Sequence, residues 1–195
     1  VKVVPLDGRT LGAWGRLFER SGCPCFCRYW HFAGNKNDWL ARCAEHPELN
    51  LEEQRTASAV GSPEASGLVV LDGDAAIGWM KLAPRASLAK LLRQGPYRAT
   101  SRGATSDDGA VYSIGCLLVD PERRRSGVAR ALVESAPAFV RASGGSVIEA
   151  YPRRIDAEVH DTQAWTGTVR LFTSCGFVEC GGDGPYPVMR RSASG

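Results

Sequence analysis

The chain has 195 residues, 44% of them hydrophobic and 23% charged, with a net charge of +3. That balance suits one domain with a sizeable core and excludes a disordered chain. The charge is too small for a nucleic-acid binder, since only residues 123–125 are densely basic, and no apolar run approaches membrane-spanning length.

Residues 2–6 alternate weakly and predict a first strand. Residues 9–20 carry Leu11, Trp14, Leu17 and Phe18 at helical spacing, which predicts an amphipathic helix. Residues 21–35 follow no period. They are dense in thiols and rings, with Cys23, Cys25 and Cys27 ahead of Tyr29, Trp30, His31 and Phe32. Residues 37–45 and 48–60 read as helices, the second opened by Pro47. Residues 68–71 and 75–82 read as strands joined by an Asp72-Gly73-Asp74 turn. A short helix over 84–93 and a mobile polar loop over 94–109 are expected next.

Residues 114–119 form an apolar run that stops at Asp120-Pro121, because proline cannot continue a central ladder. A basic turn with Gly127 follows, then Val128, Leu132 and Val133 at helical spacing. A strand therefore feeds a tight turn, and the turn feeds a helix N-terminus. Unpaired N–H groups and the positive end of the dipole gather there, which makes a seat for a pyrophosphate. Pro137 should delete one hydrogen bond and bend that helix.

Residues 146–151 predict a strand, and 153–168 a long connection containing Trp165. Residues 169–175 read as helical, with 177–180 and 186–190 as a closing antiparallel pair. Alternating strands and helices favour an α/β or α+β sheet with helices on both faces. Glu149, between Ile148 and Ala150, is the candidate general base, partly desolvated and so shifted toward neutrality; the alternative is a carboxylate facing solvent or paired with an arginine. Tyr151 shares its face. His160 with Asp161 is a further pair in a long loop, where a surface histidine is the commoner outcome. The seven cysteines, an odd number, read as mostly reduced thiols in a cytoplasmic chain. No leader is visible, although a start at Val1 leaves room for processing. The one-residue spacing of Cys23, Cys25 and Cys27 argues against ordinary zinc sites, so no metal is assigned.

The run Arg124-Arg125-Ser126-Gly127-Val128-Ala129 resembles the R/Q-x-x-G-x-G/A loop of the GCN5-related N-acetyltransferases (GNAT superfamily), and residues 171–177 (LFTSCGF) resemble that family's L-Y-x-x-x-G-F signature. The likeness covers roughly residues 66–191, a coenzyme-binding core, with residues 1–65 as a helical acceptor-side region. The Cys- and Trp-rich start resembles an uncharacterised bacterial subgroup. The resemblance implies a mixed, mostly antiparallel sheet of about seven strands whose two central strands splay apart. It implies acetyl-CoA as co-substrate and a small-molecule amine as acceptor, attacked directly in a ternary complex, and it allows a homodimer. Backbone groups of Leu117, Leu118 and Val119 would meet the pantetheine arm. Arg124, Arg125, Ser126, Gly127, Val128, Ala129 and Arg130 would hold the pyrophosphate. Cys25, Tyr29, Trp30 and Trp79 would wall the acceptor pocket.

One position departs from the family pattern. The tyrosine that commonly serves as general acid is Phe172 here, which has no proton to give. Water, Tyr151, Tyr112 or Cys175 could substitute, or the chain could be a coenzyme-binding sensor without efficient catalysis. A thiol-based metal or redox protein is a third reading.

Overall fold

The computed structural model describes residues 1–93, 110–154 and 165–194. The loop expected over 94–109 and the His160–Asp161 pair lie outside them. Seven strands form one sheet: β1 (Lys2–Pro5), β2 (Gly67–Asp72), β3 (Ala75–Pro84), β4 (Val111–Val119), β5 (Val147–Ala150), β6 (Val178–Asp183) and β7 (Tyr186–Ser192). Their order is β1-β2-β3-β4-β5-β7-β6. Only β4 and β5 run parallel; every other pair is antiparallel.

The helices are α1 (Leu11–Arg20), α2 (Lys36–Glu45), α3 (Pro47–Ala59), α4 (Ala89–Arg93), α5 (Val128–Ala142) and α6 (Val169–Ser174). Sequence chemistry sets their ends. Asn35 accepts from the N–H groups of Asn37 and Asp38 while Asp38 accepts from that of Asn35, a reciprocal cap that starts α2. The Thr168 hydroxyl accepts from the Leu171 N–H at 3.2 Å and starts α6.

Alternation along the strands sorts side chains to two faces. Met80, Leu82, Ile114 and Ile148 pack against Leu132, Val133, Ala136 and Val140 of α5 and Phe172 of α6. Val69, Ala76, Trp79 and Cys116 pack against Trp14, Leu17 and Phe18 of α1. Gly78 lets α5 sit down on β3, since a Cβ there would meet Val128 Cγ1 at 2.4 Å.

The structure changes two expectations. Strand β4 begins at Val111, earlier than the apolar run indicates. The helix expected over 84–93 is a 3-10 turn, Arg85–Ser87, and then α4, divided at Leu88 with ψ 61°. Pro137 lies inside α5 as expected, buried, and the helix continues to Ala142.

Candidate active site

The register explains where a cleft opens. Strands β4 and β5 pair from Val111–Val147 to Ile114–Ala150 and no further. Beyond Ile114 the two strands part. Gly115 is an extra residue in the β3–β4 ladder, which steps from Leu82–Ile114 to Lys81–Cys116. A bulge of this kind bends its strand and strengthens the twist.

Strand β4 ends just before Asp120, whose carboxylate is held from two sides. Arg20 Nη2 donates to it at 2.8 Å across 100 residues of sequence, and the Glu122 N–H donates at 3.1 Å. The Arg20 bond, chiefly, holds its carboxyl below the ordinary range. The chain then crosses Arg125 and Gly127 at φ 60° and 87°, both left-handed, and enters α5. Left-handed backbone suits glycine, and a Cβ on Gly127 would meet nothing within 4 Å, so the space before the turn is open. The first helical bond of α5 runs from the Ala131 N–H to the Gly127 carbonyl. Among the described residues, no backbone carbonyl accepts from the N–H groups of Ser126, Gly127, Val128, Ala129 or Arg130. Five amides without a backbone acceptor and a positive dipole end are therefore gathered at one turn. The Arg130 side chain is otherwise engaged, donating to Glu134 Oε1 at 3.1 Å and to Ser174 Oγ at 2.9 Å.

Residues 165–168 lie in the splay. The Trp165 carbonyl accepts from the Leu117 N–H at 2.7 Å. Thr168 bridges to Arg153, just past the end of β5. Between them Gly167 adopts φ 80°, where a Cβ would meet Phe172 at 2.7 Å and Leu117 at 3.0 Å. Phe172 is fully buried against Phe177 and serves as core. The Trp165 ring packs on Tyr29 (5.9 Å) and Trp30 (5.7 Å). Trp30 is itself tied to the bulge, its Nε1 donating to the Gly115 carbonyl at 2.8 Å.

Two buried polar groups lie on the face opposite α5. In the first, Glu149 is 1% exposed. Its Oε1 accepts from Arg190 Nε at 2.6 Å and from Arg85 Nη1 at 3.2 Å, and its Oε2 accepts from the Tyr151 hydroxyl at 2.5 Å. Tyr151 also shares a 2.8 Å hydrogen bond with Ser113 Oγ. Burial and the neighbouring Glu149 charge raise the Tyr151 phenol well above its usual range, so it stays protonated. Glu149 is therefore both desolvated and arginine-paired, with two guanidiniums beside the carboxylate.

In the second group, Cys27 is buried with Cys116, Lys81 and Trp79 close to it. Burial alone would raise its thiol, but the Cys116 thiol and the Lys81 charge bring it down to about 7. Lys81 is fully buried and donates to the Glu64 carbonyl; burial pulls its ammonium down to about 8. His31 is brought down to about 3 by burial, then by Lys81 and Arg28, and is neutral. Phe26 and Cys27 hold positive φ, 39° and 58°, which sets the tight path of this segment. Cys23 and Cys25 lie 3.5 Å apart, sulfur to sulfur. All seven cysteines are free thiols. Among the described residues no group of three or more His, Cys, Asp or Glu could hold a metal ion, and no helix is long and apolar enough to cross a membrane.

The four residues expected to wall an acceptor pocket separate into two groups. Tyr29 and Trp30 join Leu88, Leu91, Tyr151 and Val188 in one cluster. Cys25 and Trp79 belong to the other, beneath α1. Trp79 is fully buried, 5.6 Å from Trp14, because its place in β3 turns it toward α1. Of the stand-ins for a general acid, Tyr112 donates to the Ser143 carbonyl near the C-terminus of α5, and Cys175 is core. Sequence reasoning missed Lys81, Arg85 and Ser113. Lys81 carried a signal, a charge inside the apolar run Trp79-Met80-Lys81-Leu82.

The sequence model of the acetyltransferase (GNAT) family matches residues 35–177. No curated protein matches the chain. Solved structures share its fold. An aminoglycoside 6'-N-acetyltransferase from Enterococcus faecium matches with TM-score 0.56 and 14% identity, over 100% of this chain and 98% of that one. PaiA N-acetyltransferase from Thermoplasma acidophilum, in complex with coenzyme A, gives 0.55 and 12%, over 98% and 99%. YncA from Salmonella typhimurium, solved with acetyl-CoA, gives 0.55 and 13%, over 98% and 94%.

Proposed function

The chain belongs to the acetyltransferase (GNAT) family, and from that premise we propose that it moves the acetyl group of acetyl-CoA to the primary amine of a small molecule, by direct attack in a ternary complex. The observation that carries this reading is the set of amides from Ser126 to Arg130, open at the head of α5 behind a left-handed Gly127. Such a cradle fits a diphosphate, and the pantetheine arm would run from it along Leu117, Leu118 and Val119 into the splay. The neighbouring fold from E. faecium bears the name of an enzyme acting on an aminoglycoside, a small-molecule amine.

The acceptor would enter on the side of Tyr29, Trp30 and Tyr151. Its nitrogen lone pair attacks the thioester carbonyl, the C–N bond forms, and the C–S bond breaks. The ammonium proton would pass to the Tyr151 oxygen as the Tyr151 proton moves to Glu149, a relay along the 2.5 Å contact between them. With Phe172 in the last helix, the thiolate leaves to a proton from water. Release of free thiol from acetyl-CoA, scanned over an amine library, tests the reading. Saturable acceleration by one amine class supports it. If no amine accelerates release and coenzyme A still raises the melting temperature, the chain is a coenzyme-binding sensor, the reading that Phe172 favours.

A further inference from the structure

We infer that residues 165–168 form a plug seated in the coenzyme's own slot, held there by the Trp165 ring, and that coenzyme binding has to displace it. This rests on the proposed placing of the pantetheine arm along β4. Past Ile114–Ala150 the pairing of β4 with β5 does not continue among the described residues. A ligand lying there would need the β4 N–H groups that point into the gap. One of them, that of Leu117, is already given to the Trp165 carbonyl at 2.7 Å. The same short segment reaches the opposite wall through the Thr168–Arg153 bridge, so it spans the gap from side to side. Gly167 is what lets it fit, since any larger residue would strike Phe172 and Leu117.

The anchor is aromatic. Trp165 is 39% exposed, yet its ring meets both Tyr29 and Trp30. Trp30 in turn is fixed to the Gly115 carbonyl. The plug therefore couples the two halves of the site. While its carbonyl occupies the Leu117 N–H, its indole covers the two rings on the acceptor side. A coenzyme arm that takes over the Leu117 N–H frees Trp165 and uncovers Tyr29 and Trp30. A closed form that must open lowers the apparent affinity in proportion to its population.

Calorimetric titration of the full chain with coenzyme A tests this in three proteins: wild type, Trp165→Ala and Trp165→Phe. Two ring contacts of ordinary strength correspond to about tenfold in an equilibrium constant. Trp165→Ala should bind coenzyme A about tenfold more tightly, and Trp165→Phe, which keeps a ring, should stay close to wild type. The difference in emission between wild type and Trp165→Phe should shift to longer wavelength as coenzyme A is added, because the indole moves into water. Equal or weaker binding by a folded Trp165→Ala, with wild type binding normally, would overturn the plug and leave the acetyltransferase reading standing. Absence of binding in all three folded proteins would remove that reading and the plug with it.

Discussion

Glu149→Gln should cost the fold about 3 kcal/mol, the low end of what breaking a buried ion pair costs. The substitution keeps shape and volume. The new amide can still turn its oxygen to the arginines and its nitrogen to Tyr151, so the hydrogen bonds survive and the loss is one of charge. Arg85 feels it most, because its side chain is only 2% exposed and its guanidinium loses the charge of a carboxylate 3.2 Å away in the interior. Arg190 is 34% exposed on the side chain and recovers much of its partner from water, so it adds little. For a chain of this size, that loss lowers the melting temperature by about 6–12 °C. Urea unfolding at constant pH measures it directly. Arg85→Met added to Glu149→Gln should recover part of the stability, because the buried guanidinium that faced the lost charge goes with it. A loss below about 1 kcal/mol for Glu149→Gln, or no recovery in the double variant, would refute the claim that the pair is desolvated and interdependent.

Two other perturbations follow from the same geometry. His31 is neutral in the fold and takes a proton near 6.5 once unfolded, so the unfolded state binds more protons between about pH 6.5 and 3 and stability falls as pH falls through that window. By pH 5 the contribution lost is about 2 kcal/mol; His31→Phe should shrink the stability difference between pH 7 and pH 5 by that amount in urea titrations, and an unchanged difference would contradict a buried neutral ring. Gly78→Ala would drive a methyl into Val128 at the first turn of α5. It should cost about 1–3 kcal/mol and weaken coenzyme binding beyond that, since the amide cradle moves with the helix; unaltered affinity in a folded variant would mean the helix start is not part of the site.

What could be read from the chain was what local chemistry fixes. Asp120-Pro121, the basic turn, Gly127 and the spacing of Val128, Leu132 and Val133 together announce a strand, a turn and a helix head, and the structure has all three. The parting of β4 and β5 is a matter of register between residues 36 apart in sequence, such as Val111 and Val147, and came only through the family likeness. Period-2 alternation told that Trp79 faces away from Met80, yet not which face α1 would cover. The partners of Glu149 come from Arg85, 64 residues earlier, and Arg190, 41 residues later. Asp120 meets Arg20 across 100 residues. No short pattern encodes such pairs; they exist because the topology stacks β3, β4, β5 and β7 side by side. The seat of Trp165 in the splay was hidden for the same reason.

The most direct test compares coenzyme A with pantetheine, which lacks the diphosphate, by calorimetry on the same folded sample. Loss of two charge-assisted hydrogen bonds from the amides of residues 126–130 corresponds to about a hundredfold in affinity. Coenzyme A should bind with a saturable heat, and pantetheine should bind at least that much more weakly. Equal affinity for the two, or no heat with coenzyme A at all, would contradict the anion cradle at the head of α5.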